Sequence, residues 1–139
     1  MVSTLNDFAR LCLMLERGGE LDGIRVLREE TVKLMCVNLL QEMTGDPQSW
    51  CLETSGLGFG ILGSVAVSHP EANWFDAPGE VGWGGLAGTA WAMDPKEGLV
   101  VISFCQVMYE LWIDEELRKA VRSALGFSEQ RPCGASEEK

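Results

Sequence analysis

Thr89-Ala90-Trp91-Ala92-Met93-Asp94-Pro95-Lys96-Glu97-Gly98-Leu99-Val100-Val101-Ile102-Ser103-Phe104-Cys105-Gln106 holds two largely apolar runs on either side of a short turn sequence. Proline presets one turn dihedral and glycine supplies a positive φ, so Asp94 to Gly98 predicts a turn between strands Thr89–Met93 and Leu99–Gln106. Two strands joined so closely are antiparallel. The near-continuous apolarity from Leu99 to Phe104 predicts a central strand covered by helices on both faces.

Immediately upstream, Gly82-Trp83-Gly84-Gly85-Leu86-Ala87-Gly88 breaks a strand-like run with glycines. Glycine in a strand costs backbone entropy and offers no side chain to pack, so the run implies a bulge, a close neighbour or a bound ligand. The glycines alone leave two readings open. Trp83 is a core aromatic on a bent sheet, or it lines a cleft. Earlier still, Leu57, Phe59, Ile61, Val65 and Val67 predict a strand from Leu57 to Val67, bulged at Gly63. The glycines between Gly56 and Gly60 serve either strand packing or the cleft. Ser68 to Gly79, with His69, Trp74 and Phe75, is a loop.

The N-terminal part is helical by its periodicity. Ser3 is the expected N-cap of a helix whose Leu5, Phe8, Leu11, Cys12 and Leu15 face inward, and Gly18-Gly19 stops it. Glu20-Leu21-Asp22-Gly23 is a turn and Ile24 to Leu27 an extended link. Glu29-Glu30 open a second helix with Val32, Met35, Cys36 and Leu39 on its inner stripe. Thr44 to Ser55 is a surface loop. A last helix runs from Tyr109 to Leu125 with Ile113, Leu117, Ala120, Val121 and Ala124 as its stripe and Gly126 as its stop. The expected fold is therefore α+β, an antiparallel sheet flanked by helices, in one domain over residues 1–127. Residues 128–139 form a disordered polar tail.

Composition narrows the function classes. The chain has 139 residues, 46% hydrophobic and 23% charged, and a formal net charge of −10, with no basic patch for a nucleic acid or an anionic membrane. No apolar run reaches membrane-spanning length and no basic leader opens the chain, so it reads as soluble and cytoplasmic. Its five cysteines are scattered without a Cys-x-x-Cys pair, so neither a disulfide framework nor a zinc site is indicated. His69 has no neighbouring histidine or cysteine. No metal and no cofactor are expected.

The motifs in their order resemble the C-terminal part of the beta-lactamase-related serine hydrolases, which include class C beta-lactamases, penicillin-binding-protein-like peptidases and esterases. The resemblance runs from Val2 to Leu125. It rests on Gly18-Gly19-Glu20-Leu21-Asp22-Gly23, Gly56-Leu57-Gly58-Phe59-Gly60, Trp83-Gly84-Gly85 and the Asp94 to Gly98 hairpin. It implies the corresponding portion of the beta-lactamase/transpeptidase-like fold. Trp83-Gly84-Gly85 falls where these enzymes carry Lys-Thr-Gly, His-Thr-Gly or Trp-Gly-Gly. The resemblance makes the N–H of Leu86 one donor to an acyl-transfer oxyanion, with Gly84 and Gly85 letting a substrate carbonyl lie along the strand. An indole offers stacking and one donor where a lysine would meet a carboxylate, so the implied substrate is a small neutral ester or amide.

The family's nucleophile, a helix-borne Ser-x-x-Lys, and its Tyr-x-Asn tyrosine lie upstream of the matched part. Ser136-Glu137-Glu138-Lys139 fits the letters only in the polar tail, and Tyr109 is followed by Glu110-Leu111. Arg28-Glu29 also stands where relatives open the second helix with Ser-Pro. The expectation is a chain that supplies one wall of a cleft and is silent alone. The alternative is a non-catalytic module docking on a separately encoded N-terminal half or a second copy of itself. Glu80 is expected to be a solvated loop charge.

Overall fold

The computed structural model describes residues 3–45, 56–67, 77–108 and 112–127. The expected tail, His69, Tyr109 and most of the two long loops lie outside the described residues. Helix α1 (Leu5–Glu16) is capped by Thr4, one residue later than expected. The Thr4 hydroxyl accepts from the Asp7 N–H at 3.2 Å and donates to the Asp7 carboxylate at 2.7 Å, which satisfies an orphan first-turn donor. The helix buries Cys12, Met14 and Leu15, whereas Leu5 and Leu11 of the expected stripe are 46% and 45% exposed. After it, β1 (Glu20–Leu21) and β2 (Ile24–Arg25) form a small hairpin around Asp22 and Gly23, both at positive φ.

The expected second helix is two helices, α2 (Glu29–Met35) and α3 (Leu39–Thr44). α2 has no side-chain cap at Arg28, and Glu29 and Glu30 in its first turn offset the exposed N–H groups. The break between the helices has a distant cause. Asn38 is extended, and its side-chain oxygen accepts the Phe59 N–H at 3.0 Å.

Five antiparallel strands follow in the spatial order β3 (Leu57–Phe59), β4 (Ser64–Ala66), β5 (Val81–Gly85), β6 (Thr89–Asp94) and β7 (Leu99–Phe104). The strand expected from Leu57 to Val67 is thus a hairpin, closed by the Gly60 N–H on the Gly63 carbonyl at 2.8 Å. The glycines beside it serve packing against the α2–α3 link. A Cβ on Gly58 would lie 2.2 Å from the Asn38 side chain, and one on Gly60 would lie 2.4 Å from the Val37 carbonyl oxygen. The hairpin of β6 and β7 forms as expected, with Asp94 accepting the Lys96 and Glu97 N–H groups and Gly98 at φ +63.

β7 is the edge of the described sheet, not its centre. Its apolarity comes from coverage on both faces, by α1 on one side and by α4 (Trp112–Leu125) on the other. The register places Val81, Trp83, Trp91, Met93, Val100, Ile102 and Phe104 on the α1 face. There Met14, Leu15, Val32 and Met93 form the core, and the Phe8 ring sits 6.0 Å from Trp91 and 5.7 Å from Phe104. Ala92 and Val101 lie on the opposite face, where Leu57, Ala66 and Ala92 form a second cluster.

Candidate functional site

β5 pairs with β6 along its whole length but with β4 only at Val81 and Gly82. Among the described residues, Trp83 to Gly85 therefore have a strand neighbour on one side only. Gly63 makes this possible. Its φ is +142°, and a Cβ there would lie 2.5 Å from the Gly82 carbonyl oxygen, so only glycine lets the β3–β4 loop turn off against β5 at that point. The Ala66 N–H donates to the Glu80 carbonyl at 2.8 Å, so Glu80 faces the β4 edge. Backbone groups alternate along a strand, which turns Gly82 and then Gly84 to the same edge. At Gly84 that edge has run past β4.

Trp83 projects to the α1 face opposite Trp91, is 39% exposed, and meets the Phe59 ring edge-on at 5.2 Å. The strand ends in a three-residue loop, Leu86-Ala87-Gly88, closed by the Gly88 N–H on the Gly85 carbonyl at 2.9 Å. Leu86 is 59% exposed. Gly88 is at φ +86, and a Cβ on it would lie 2.6 Å from the Val107 carbonyl oxygen, so the chain leaving β7 packs against the back of this loop. The four residues that the sequence singled out thus form one continuous segment of strand and loop that no described strand pairs on its β4 side.

On the opposite face the structure holds a polar cluster that sequence reading missed. Glu80 is buried, not solvated, and pairs with Arg122 of α4. The same Arg122 Nη2 donates to Asp94 at 2.8 Å, and Asp94 is buried as well. Arg118, 3% exposed, donates through Nε to Asp114 at 3.0 Å, and Asp114 accepts the Ser103 hydroxyl at 3.0 Å. α4 therefore docks by an arginine face, and Leu117, Ala120 and Ala124 of the expected stripe are exposed. The available signal was the spacing of Asp114, Arg118 and Arg122, four apart on one side of a helix.

Burial pushes the Cys12 thiol up to about 11 and also raises that of Cys36, so neither is a ready nucleophile at neutral pH. Among the described residues no group of three or more histidines, cysteines or carboxylates could hold a metal, and no helix is long and apolar enough to cross a membrane.

Residues 1–126 match the family model described as Beta-lactamase. The chain belongs to the beta-lactamase family. Two relatives from Mycobacterium tuberculosis, protein Rv1367c of strain H37Rv and the uncharacterized protein MT1414 of strain CDC 1551, are each 33% identical over 121 residues. The match takes in 81% of this beta-lactamase-family chain and 29% of each relative, so the chain spans under a third of their length. Unliganded simvastatin synthase (LovD) from Aspergillus terreus is similar in fold, with a TM-score of 0.60 and 21% identity over 86% of this chain and 33% of that one. The α+β architecture with an antiparallel sheet is that of this fold.

Proposed function

We propose that this chain supplies one wall of the acyl-transfer cleft of a serine hydrolase. The observation that carries the reading is that no described strand pairs with β5 on its β4 side at Gly84 and Gly85, where an antiparallel substrate segment could take the place that β4 vacates. In this reading the Leu86 N–H, in the turn just past β5, faces the same edge. It then serves as one oxyanion donor, and the nucleophilic serine's own N–H serves as the other. As the serine oxygen adds to the carbonyl, negative charge collects on the carbonyl oxygen between these donors and is released when the alcohol or amine departs with a proton. Trp83 with Phe59 at its edge favours an apolar, uncharged acyl group, since among the described residues the strand positions beside Trp83 on its face, Val81, Gly85, Thr89, Trp91 and Met93, carry no charge. The substrate class is therefore a small neutral ester or amide.

Nucleophile and general base come, in this reading, from polypeptide outside these residues, and the chain is silent without it. The length of the relatives supports that. The test is an immunoblot of the native polypeptide from its source cells, with a serine-directed activity probe run alongside. A band several times larger than 15.2 kDa that takes up the probe is expected. A band near 15.2 kDa, unlabelled, would overturn the reading and turn attention to docking on a separately encoded partner. That second reading has its own support in the exposure of Leu5, Leu11 and Leu13 on α1 and of Phe104 on the edge strand.

A further inference from the structure

We propose that Arg122, on the C-terminal helix and across the sheet from the cleft, is a positioning residue for the Trp83 to Leu86 segment. Val81 and Met93 are directly paired, so Glu80, just before β5, and Asp94, ending β6, sit together at the root of the β5–β6 hairpin. Both carboxylate side chains are only 4% exposed, and one guanidinium nitrogen, Arg122 Nη2, contacts both. Two like charges at neighbouring cross-strand positions repel, and burying them without a counterion is far costlier than burying them with one. Arg122 is therefore a counterion that the two sides of the root share.

The consequence reaches the site because of the sheet's asymmetry. Beyond Gly82 no described strand flanks β5 on its β4 side, so the backbone of Gly84 to Leu86 follows the register of the β5–β6 hairpin. That register is fixed at the root by Arg122 and at the tip by the Gly88 contacts with Gly85 and Cys105. The root is also tied to the segment before β5, since Lys96 Nζ donates to the Pro78 carbonyl at 3.1 Å. A staple on one face of the sheet thus aims a backbone edge that is used from the other.

This inference rests on the reading of Trp83 to Leu86 as the site only for its functional meaning, and its test needs no turnover. Amide exchange is followed by NMR in the full chain for Trp83, Gly85, Thr89 and Trp91, which face each other across the hairpin, and for Cys12 to Leu15 of α1. Arg122→Met leaves both carboxylates without that guanidinium. It should speed exchange in the hairpin by about tenfold or more relative to α1. Glu80→Gln is the second substitution. Added to Arg122→Met, it removes one of the two repelling carboxylates and should bring hairpin exchange back toward the wild-type rate with α1 unchanged. An equal rise in α1 and the hairpin in either variant would mean that the cluster only adds global stability, and that overturns the proposal. A double variant whose hairpin exchanges as fast as that of Arg122→Met, or that fails to fold along with it, overturns the proposal equally. Neither result bears on the activity-probe experiment.

Discussion

At the scale of single residues, the chain relies on contacts that leave room for only one side chain. Gly58 lies under the Asn38 amide, which accepts the Phe59 N–H. Gly58→Ala should therefore lower stability by about 2 kcal/mol, although Ala otherwise suits a strand better than Gly. In an Asn38→Ala background the same substitution should cost less than half as much, because the clashing group is gone. A thermal double-mutant cycle measures this coupling, and additive losses would refute the contact. Cys12 makes a second prediction through pH. Its folded pKa is raised by burial from 9.0 to about 11, so the folded state holds the thiol proton more tightly than the unfolded state does. That stabilisation is complete below pH 9 and is lost as pH rises through 11. Thermal midpoints should fall over this range in the wild type and fall less in Cys12→Ala. Alkylation of Cys12 should be slow at neutral pH until the chain is denatured.

Elements were legible wherever their cause was local. The β6–β7 hairpin was written in Asp94-Pro95-Lys96-Glu97-Gly98, since Asp94 accepts from N–H groups two and three residues on. Trp83 to Leu86 stood out for the same reason, as glycines in a strand need an explanation within the strand. Where the cause was distant the sequence misled. The helix broken after α2 depends on a bond between Asn38 and Phe59, and the burial of Glu80 depends on an arginine forty-two positions away. The β3–β4 hairpin has the sequence pattern of one strand because its apolar alternation continues through Gly60 to Gly63. Helix α4 shows the cost of trusting an apolar stripe alone. Leu117 is 38% exposed and Arg118 is 3% exposed, so Leu117→Ala should cost under about 1 kcal/mol and Arg118→Met several times that. Denaturant midpoints of the two variants decide the matter. The reverse ranking would mean that the helix docks by its apolar side.

For the whole molecule the governing fact is the amount of apolar surface left uncovered. Beside Leu5 and Leu11, Ile24, Val26, Met43 and Met108 are each more than half exposed, and β7 is an edge strand among the described residues. Contiguous apolar surface and unpaired edge strands favour association, which a net charge of −10 opposes by repulsion between copies. The two forces differ in their response to salt. Screening weakens the repulsion within a Debye length of about 10 Å at 0.1 M and leaves the apolar attraction intact. The isolated chain should therefore bind an apolar fluorescent dye, sediment as a monomer at low ionic strength, and associate as salt is raised. Leu5→Glu together with Leu11→Glu should reduce both dye binding and association while leaving the thermal midpoint nearly unchanged, because neither side chain contributes to the buried core. Sedimentation that is monomeric at every salt concentration, with no dye signal, would mean that the exposed residues are too dispersed to form a docking face. The case for a covering partner would then fall, and the β5 edge at Gly84 and Gly85 would remain the feature that bears on function.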